Sequence, residues 1–258
     1  MVQERRPGTR QPVVMPGWLA LGVAVVINSF SVVLMLRSGA GISAISSVPY
    51  ALSLVLPALS LGNWTYLFQG LLIASLMVLR RRFVPAYLFS FVVGFAFSAL
   101  LDLHEPWVAQ LPDPLGWRVV YFVVSYLLIC VGIALSNRCG LPIIPTDLFP
   151  RELAQITGVS YPRIKIGFDA ACLLVTAGLT LCCLGRLEGL GVGTVLAALT
   201  MGKVIGLIGA WLDRYLRFDG GRLLNRRPAQ KGPHTPAGGT DLGLSFSGSR
   251  QAAEKPQP

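Results

Sequence analysis

Residues 139–158 read CGLPIIPTDLFPRELAQITG, a stretch with three prolines, two acids and an arginine between two strongly apolar runs. The run before it (about 117–136) and the run after it (about 162–184) are each long enough to cross a bilayer. What a proline-broken, polar segment does between two such runs decides what kind of membrane protein this is. Gly140, Pro142 and Pro145 break the helix that precedes it. Thr146 or Asp147 is expected to N-cap a short helix, with Pro150 in its first turn and Gly158 as its stop. A carboxylate there meets unpaired amides at the positive end of the helix dipole. Broken backbone is tolerated at membrane depth only where protein or a water-filled cavity surrounds it. The segment therefore either dips into the membrane as half of a site or lies along the inner interface as a lid.

The rest of the chain supplies the membrane. Of 258 residues, 53% are hydrophobic and 13% charged, against roughly 25% charged in soluble domains. Six segments read as full spans: about 17–36, 64–79, 84–102, 117–136, 162–184 and 191–212. Arg5, Arg6 and Arg10 ahead of the first run imitate a signal peptide. That run, about 20 residues long, exceeds a cleavable core and reads as a retained first span. Two segments do not fit as spans: 42–61, ISAISSVPYALSLVLPALSL, with its serines and prolines, and 143–157, short and polar.

The two misfits occupy matching places. Aligning Arg37 with Arg138 puts Gly39 on Gly140, Pro49 on Pro150 and Leu52 on Leu153. With small shifts, Gly70 falls on Gly167 and Gly94 on Gly202. The shared order of span, broken segment, span, span makes a repeat. With the broken segments not crossing and the N-terminus inside, Arg5, Arg6, Arg10, Arg80, Arg81, Arg82, Arg138, Arg151, Arg163, Lys165, Arg214 and Arg217 gather on the inner face. Only Arg37, Arg118 and Arg186 stay outside, beside Asp102, Glu105, Asp113 and Glu188, which is a positive-inside pattern. A seven-span rival, in which 42–61 crosses, strands three arginines on the wrong side. The expected fold is an all-α polytopic membrane protein of six transmembrane helices, arranged as two inverted repeats of three (about 17–102 and about 117–216), each with one broken or re-entrant segment. A basic cytoplasmic N-tail (1–16) and a disordered cytoplasmic tail (217–258) complete it.

The net charge of +10 follows from the loops and tails, so lipid headgroups rather than nucleic acid are the expected electrostatic partner. The cysteines form no ligand spacing, and no metal site or cofactor is expected. No HExxH, GxSxG or P-loop appears, so no catalytic residue is assigned and no enzyme is expected. Three charges lie inside spans: Lys165, Asp169 and Lys203. Lys165 is about one turn in and can snorkel to the headgroups. Asp169 and Lys203 fall at similar depth on consecutive spans and are expected to pair, directly or through water, because a charge so placed costs at least ~2.5–3.5 kcal/mol unless it meets a partner or a cavity. Asp147 and Arg151 are expected nearer the cytoplasmic mouth. Gly191, Gly193, Gly202, Gly206 and Gly209 are expected to let the last span pack closely.

RCGLPIIPTDLF at 138–149, KIGFD at 165–169 and GLGVGTVLAALTMGKVIG at 189–206 resemble the bacterial YczE/YitT-like integral membrane proteins, over most of residues 17–216. The first-half copy, AGISAISSVPYAL, departs from that pattern by lacking the acid of PTDLF. The resemblance implies a multi-pass protein of the bacterial cytoplasmic membrane and leaves activity open. In size and span number the chain also has a looser likeness to the membrane-embedded substrate-binding subunits of energy-coupling-factor importers. Inverted repeats with matching interruptions are the plan of many carriers. The expectation is a permease or substrate-binding subunit for a small solute, with Asp169, Lys203, Asp147, Arg151, Lys165 and Thr146 as candidate binding residues. The alternative is a non-transport scaffold or regulator.

Overall fold

The computed structural model describes residues 13–219, which form eight helices and one two-stranded sheet. Six helices are long and apolar enough to cross a membrane: α1 (Gly17–Ser38), α3 (Leu61–Arg80), α4 (Pro85–Val108), α5 (Leu115–Ser136), α7 (Tyr161–Leu184) and α8 (Val192–Tyr215). The chain is a polytopic helical membrane protein. The two broken segments hold α2 (Ala44–Val55, 12 residues) and α6 (Pro145–Thr157, 13 residues). At 1.5 Å per residue these reach ~18–20 Å, short of the ~30 Å hydrocarbon core.

Local chemistry sets these boundaries. Proline opens α4 and α6, where its fixed φ suits a first turn and its missing N–H is no loss. Ser60 caps α3 by accepting from Asn63 N at 3.1 Å, and the Asp102 carboxylate accepts from Gly62 N at 2.7 Å and from Ser60 Oγ at 2.6 Å. Gly39 and Gly140 turn the chain after α1 and α5 with φ of 66° and 70°, a region that favours glycine. Gly158 stops α6 with φ 71°, as expected. The start of α6 differs from expectation. Ile144 is its N-cap, Thr146 and Asp147 lie within the first turn without capping, and Pro150 sits inside the helix. Pro145 is already well formed for the first helical position, and it leaves Asp147 at the third, beside the free amides.

Contacts sort the connections into two faces. On one, Arg80 at the end of α3 meets Glu152 of α6 at 2.5 Å, and Arg138 after α5 forms a two-pronged pair with Asp213 of α8 at 2.6 and 2.7 Å. On the other, Arg37 stands 3.9 Å from Asp113, Arg118 Nε donates to Ser38 O at 3.0 Å, and Ala40 and Ile42 bond to Gly193 and Gly189. The ends of the described chain also meet. β1 (Val13–Pro16) pairs in parallel with β2 (Leu216–Asp219), which sets both ends on one face, where six crossings put them. Residues 13–16 and 217–219, expected as parts of the two tails, are thus in a sheet. The remainder of both tails, with Arg5, Arg6, Arg10, Arg222, Arg226 and Arg227, lies outside the described residues.

The packing order is shared between the halves. α1 and α5 form the central seam, so close at Gly132 that a Cβ there would strike the Asn28 amide. α1 packs on α4 and α5 on α8; α2 packs on α7 and α6 on α3; α2 follows into α3 as α6 does into α7. The helix starts Ala44 and Pro145 correspond in the same register as Pro49 and Pro150. One pairing breaks the pattern. α3 packs along α4, whereas α7 and α8 share no comparable seam.

Candidate functional site

The missing seam leaves a cavity of about 630 Å³, lined by the first turns of α7 and the middle of α8. Its back wall comes from α1 and α5, through Asn28, Val32, Ile129 and Ile133. Its floor is made by the starts of the two half-helices: Ser43, Ala44, Ile45 and Ser46 of α2, and Ile144, Thr146 and Asp147 of α6. The start of α6 is deep. Pro145 lies against Gly94 and Gln69, which are mid-helix residues of α4 and α3. From there α6 runs back to the face where Glu152 accepts from Arg80 Nη2 and from Tyr87 Oη, each at 2.5 Å. The segment enters as loop to mid-helix depth and returns as helix. The lining extends from this depth to Asn137 and Tyr161, at the ends of α5 and α7 on the arginine-rich face. At the opposite face the backbone bonds Gly193 N to Ala40 O (2.8 Å) and Ile42 N to Gly189 O (3.0 Å) close the path.

Asp169, Lys203, Asp147, Lys165 and Thr146 all line this cavity. Arg151 does not. It donates to Asn137 Oδ1 and lines a smaller, shallower depression with Gln155 and Tyr161. Asp169 and Lys203 form no direct ion pair; Lys165 Nζ instead sits 2.5 and 2.7 Å from the two Asp169 oxygens, one turn back on the same helix. The reason is the packing. α7 leans on α2, held there by the 2.7 Å hydrogen bond between Ser47 and Thr176, and α8 leans on α5, so the facing charges are not in direct contact in this form. Lys203 is exposed and has no ion-pair partner among the described residues.

Asp147 also lacks an ion-pair partner among the described residues. Burial pushes its carboxyl above the usual carboxylate range, Lys165 and Arg151 pull it back, and Asp169 adds to the rise. Asn28, only 5% exposed, has a side-chain oxygen without a partner. Sequence reasoning missed it; an amide in an otherwise apolar span was the available signal. Ser43 and Ser46 were visible as oddities of the first broken segment but not as floor residues. The expected glycine packing of α8 holds in part. Gly191 and Gly193 press on Ala40, and Gly209 on the Arg138 guanidinium, whereas Gly202 and Gly206 meet nothing within 4 Å. No cluster of His, Cys, Asp or Glu able to hold a metal occurs among the described residues.

A family model described as a family of unknown function, DUF6198, matches residues 15–210. The chain belongs to this family. The DUF6198 match runs from the end of β1 into the last turns of α8 and includes every residue that lines the cavity. No curated protein and no solved structure matches the chain.

Proposed function

We propose that this chain is a permease, or the membrane-embedded substrate-binding subunit of one, for a small solute in the bacterial cytoplasmic membrane. The observation that carries the reading is the cavity. It reaches mid-helix depth, its floor is built from the starts of two half-helices, and it holds an unpaired cation and an unpaired carboxylate. Free amides at half-helix starts are the recurring means by which carriers hold the anionic groups of substrates at the midplane. A dry, packed core would have spoken for a scaffold instead. In this reading the two halves are inverted repeats, the arginine-rich face is cytoplasmic, and the present form opens inward between α7 and α8. No cofactor or catalytic step is assigned to it; the surrounding lipid and the solute are its partners.

The test is a thermal-shift screen of small polar solutes on the purified full chain, beside a variant carrying Asp147→Asn and Lys203→Met. At least one solute raises the melting temperature of the wild type, and the variant folds but does not respond. If no solute shifts either protein and the variant replaces the wild type fully in cells, the scaffold reading takes its place.

A further inference from the structure

The two half-helices are alike in length and register but differ in charge at their starts. Asp147 is the third residue of α6, and the matching third residue of α2 is Ser46. A carboxylate in the first turn answers the positive end of its own helix, so α6 presents negative charge to the cavity. The start of α2 carries no acid in its first turn and no side-chain cap. Its first backbone amides have no intrahelical acceptor, and the Ser43 hydroxyl donates to Ser46 Oγ at 3.0 Å rather than to the backbone. Deep in the cavity, therefore, one half-helix start is left positive and the other is negative.

Above this floor the back wall adds Asn28 of α1, which lines the same cavity while its side-chain oxygen, without a hydrogen-bond partner, is pressed against Gly132 in the α1–α5 seam. The remaining charges balance. Lys165 and Asp169 neutralise each other, leaving Lys203 and Asp147 as one positive and one negative group. The walls between are apolar, with Phe97, Ile129, Ile133 and Met201.

We infer that the cavity binds a small zwitterion with an apolar body, its anionic group on the α2 amides and Ser46 hydroxyl and its cationic group on Asp147. A lone anion would face Asp147 across the floor, and a lone cation would face Lys203 and the bare α2 start. A molecule with both charges satisfies each. This rests on the permease reading and names its substrate class.

The experiment uses the purified full chain and matched probe sets. One set is L-leucine, 4-methylpentanoate and 3-methylbutylamine; the other, with the charges farther apart, is 6-aminohexanoate, hexanoate and hexylamine. Melting temperature and calorimetric binding are read for the wild type, Asp147→Asn, Ser46→Asp and Ser46→Ala. In at least one set the zwitterion binds the wild type at least 10-fold tighter than either single-charge analogue. Asp147→Asn loses that preference and accepts the carboxylate as well as the zwitterion. Ser46→Asp abolishes zwitterion binding while Ser46→Ala weakens it only a few-fold, which separates charge from folding. Equal or tighter binding of a single-charge analogue by the wild type overturns the inference, as does silence from both sets. A solute found in the wider screen while both zwitterions are silent overturns this inference and leaves the permease reading standing; silence in both removes the two together.

Discussion

The α3–α4 pair and the α7–α8 pair hold corresponding places in the two halves, carry glycines at corresponding positions, and are packed differently. In the first pair, Gly70 touches Phe91, with 3.4 Å from an added Cβ to the ring, and a Cβ on Gly94 would collide with Gln69 and press on Pro145. In the second, Gly167 and Gly202 meet nothing within 4 Å. The apolar stretches of α3 and α4 are 39% buried, and those of α7 and α8 only 17%. Small residues that close one seam are thus present, unused, at the other. The second pair has the means to close as the first does, and the cavity is the space it leaves when it does not. In the permease reading proposed above, one open and one closed seam are the two states of a single cycle.

The largest difference between the two seams is expected when the same side chain is placed at both glycines. Gly94→Val should destabilise the protein by about 3 kcal/mol, the upper range for overpacking, because neither Gln69 nor Pro145 has room to move. Gly202→Val should change the melting temperature by an amount equivalent to less than ~0.5 kcal/mol, while abolishing solute response if the seam must close. Equal destabilisation at the two sites would mean that α7 and α8 already pack as α3 and α4 do. Next in size is the tie between α6 and the closed seam. Glu152→Ala removes the acceptor of both Arg80 and Tyr87 and should cost about 2 kcal/mol, the range for hydrogen bonds to charged groups. Limited proteolysis should then cut first near α6.

Asp147 sharpens the difference between the half-helix starts. Its carboxyl is raised by burial, so the native state holds its proton more tightly than the unfolded chain. The sign follows: the wild type loses stability as pH rises through the raised value, and regains it as pH falls toward the ordinary carboxylate value of about 3.9. Asp147→Asn should therefore melt higher than wild type at neutral pH, and the gap should shrink on acidification. Ser46→Ala should show no such pH-dependent gap. The smallest effect belongs to the arginines that close each half. Asp213→Asn loses a two-pronged contact with Arg138, and Asp113→Asn a 3.9 Å contact with Arg37. Both acids are more than half exposed, so both changes should cost below about 1 kcal/mol, the first more than the second.

The long helices and their broken companions were legible because apolar run length and proline placement act locally. The correspondence of Pro49 with Pro150 and of Gly39 with Gly140 was legible for the same reason. The α6 start was misplaced because two proline-bearing starts compete within a few residues, and only the fold shows that Pro145 takes the first position. The Lys165–Asp169 pair illustrates a different limit. Depth along each helix put Asp169 and Lys203 level, but depth carries no information about which helices touch. That depends on α7 choosing α2, through contacts such as Ser47 with Thr176, which are far apart in sequence. The floor residues Ser43 and Ser46 and the back-wall residue Asn28 were hidden because their role exists only where several elements converge.

The permease reading proposed above needs a polar cavity that opens between α7 and α8 on the arginine-rich face and needs that face to be cytoplasmic. Its most direct test is the reactivity of Lys203→Cys, in a chain whose five natural cysteines are replaced by alanine, toward a membrane-impermeant thiol reagent. Leu207→Cys serves as the lipid-facing control, since Leu207 is 74% exposed on the same helix and does not line the cavity. Rapid modification of position 203 is expected in inside-out vesicles, little in right-side-out vesicles, and none at position 207 in either. Silence at 203 from both sides, or faster modification from the outer side, would contradict it.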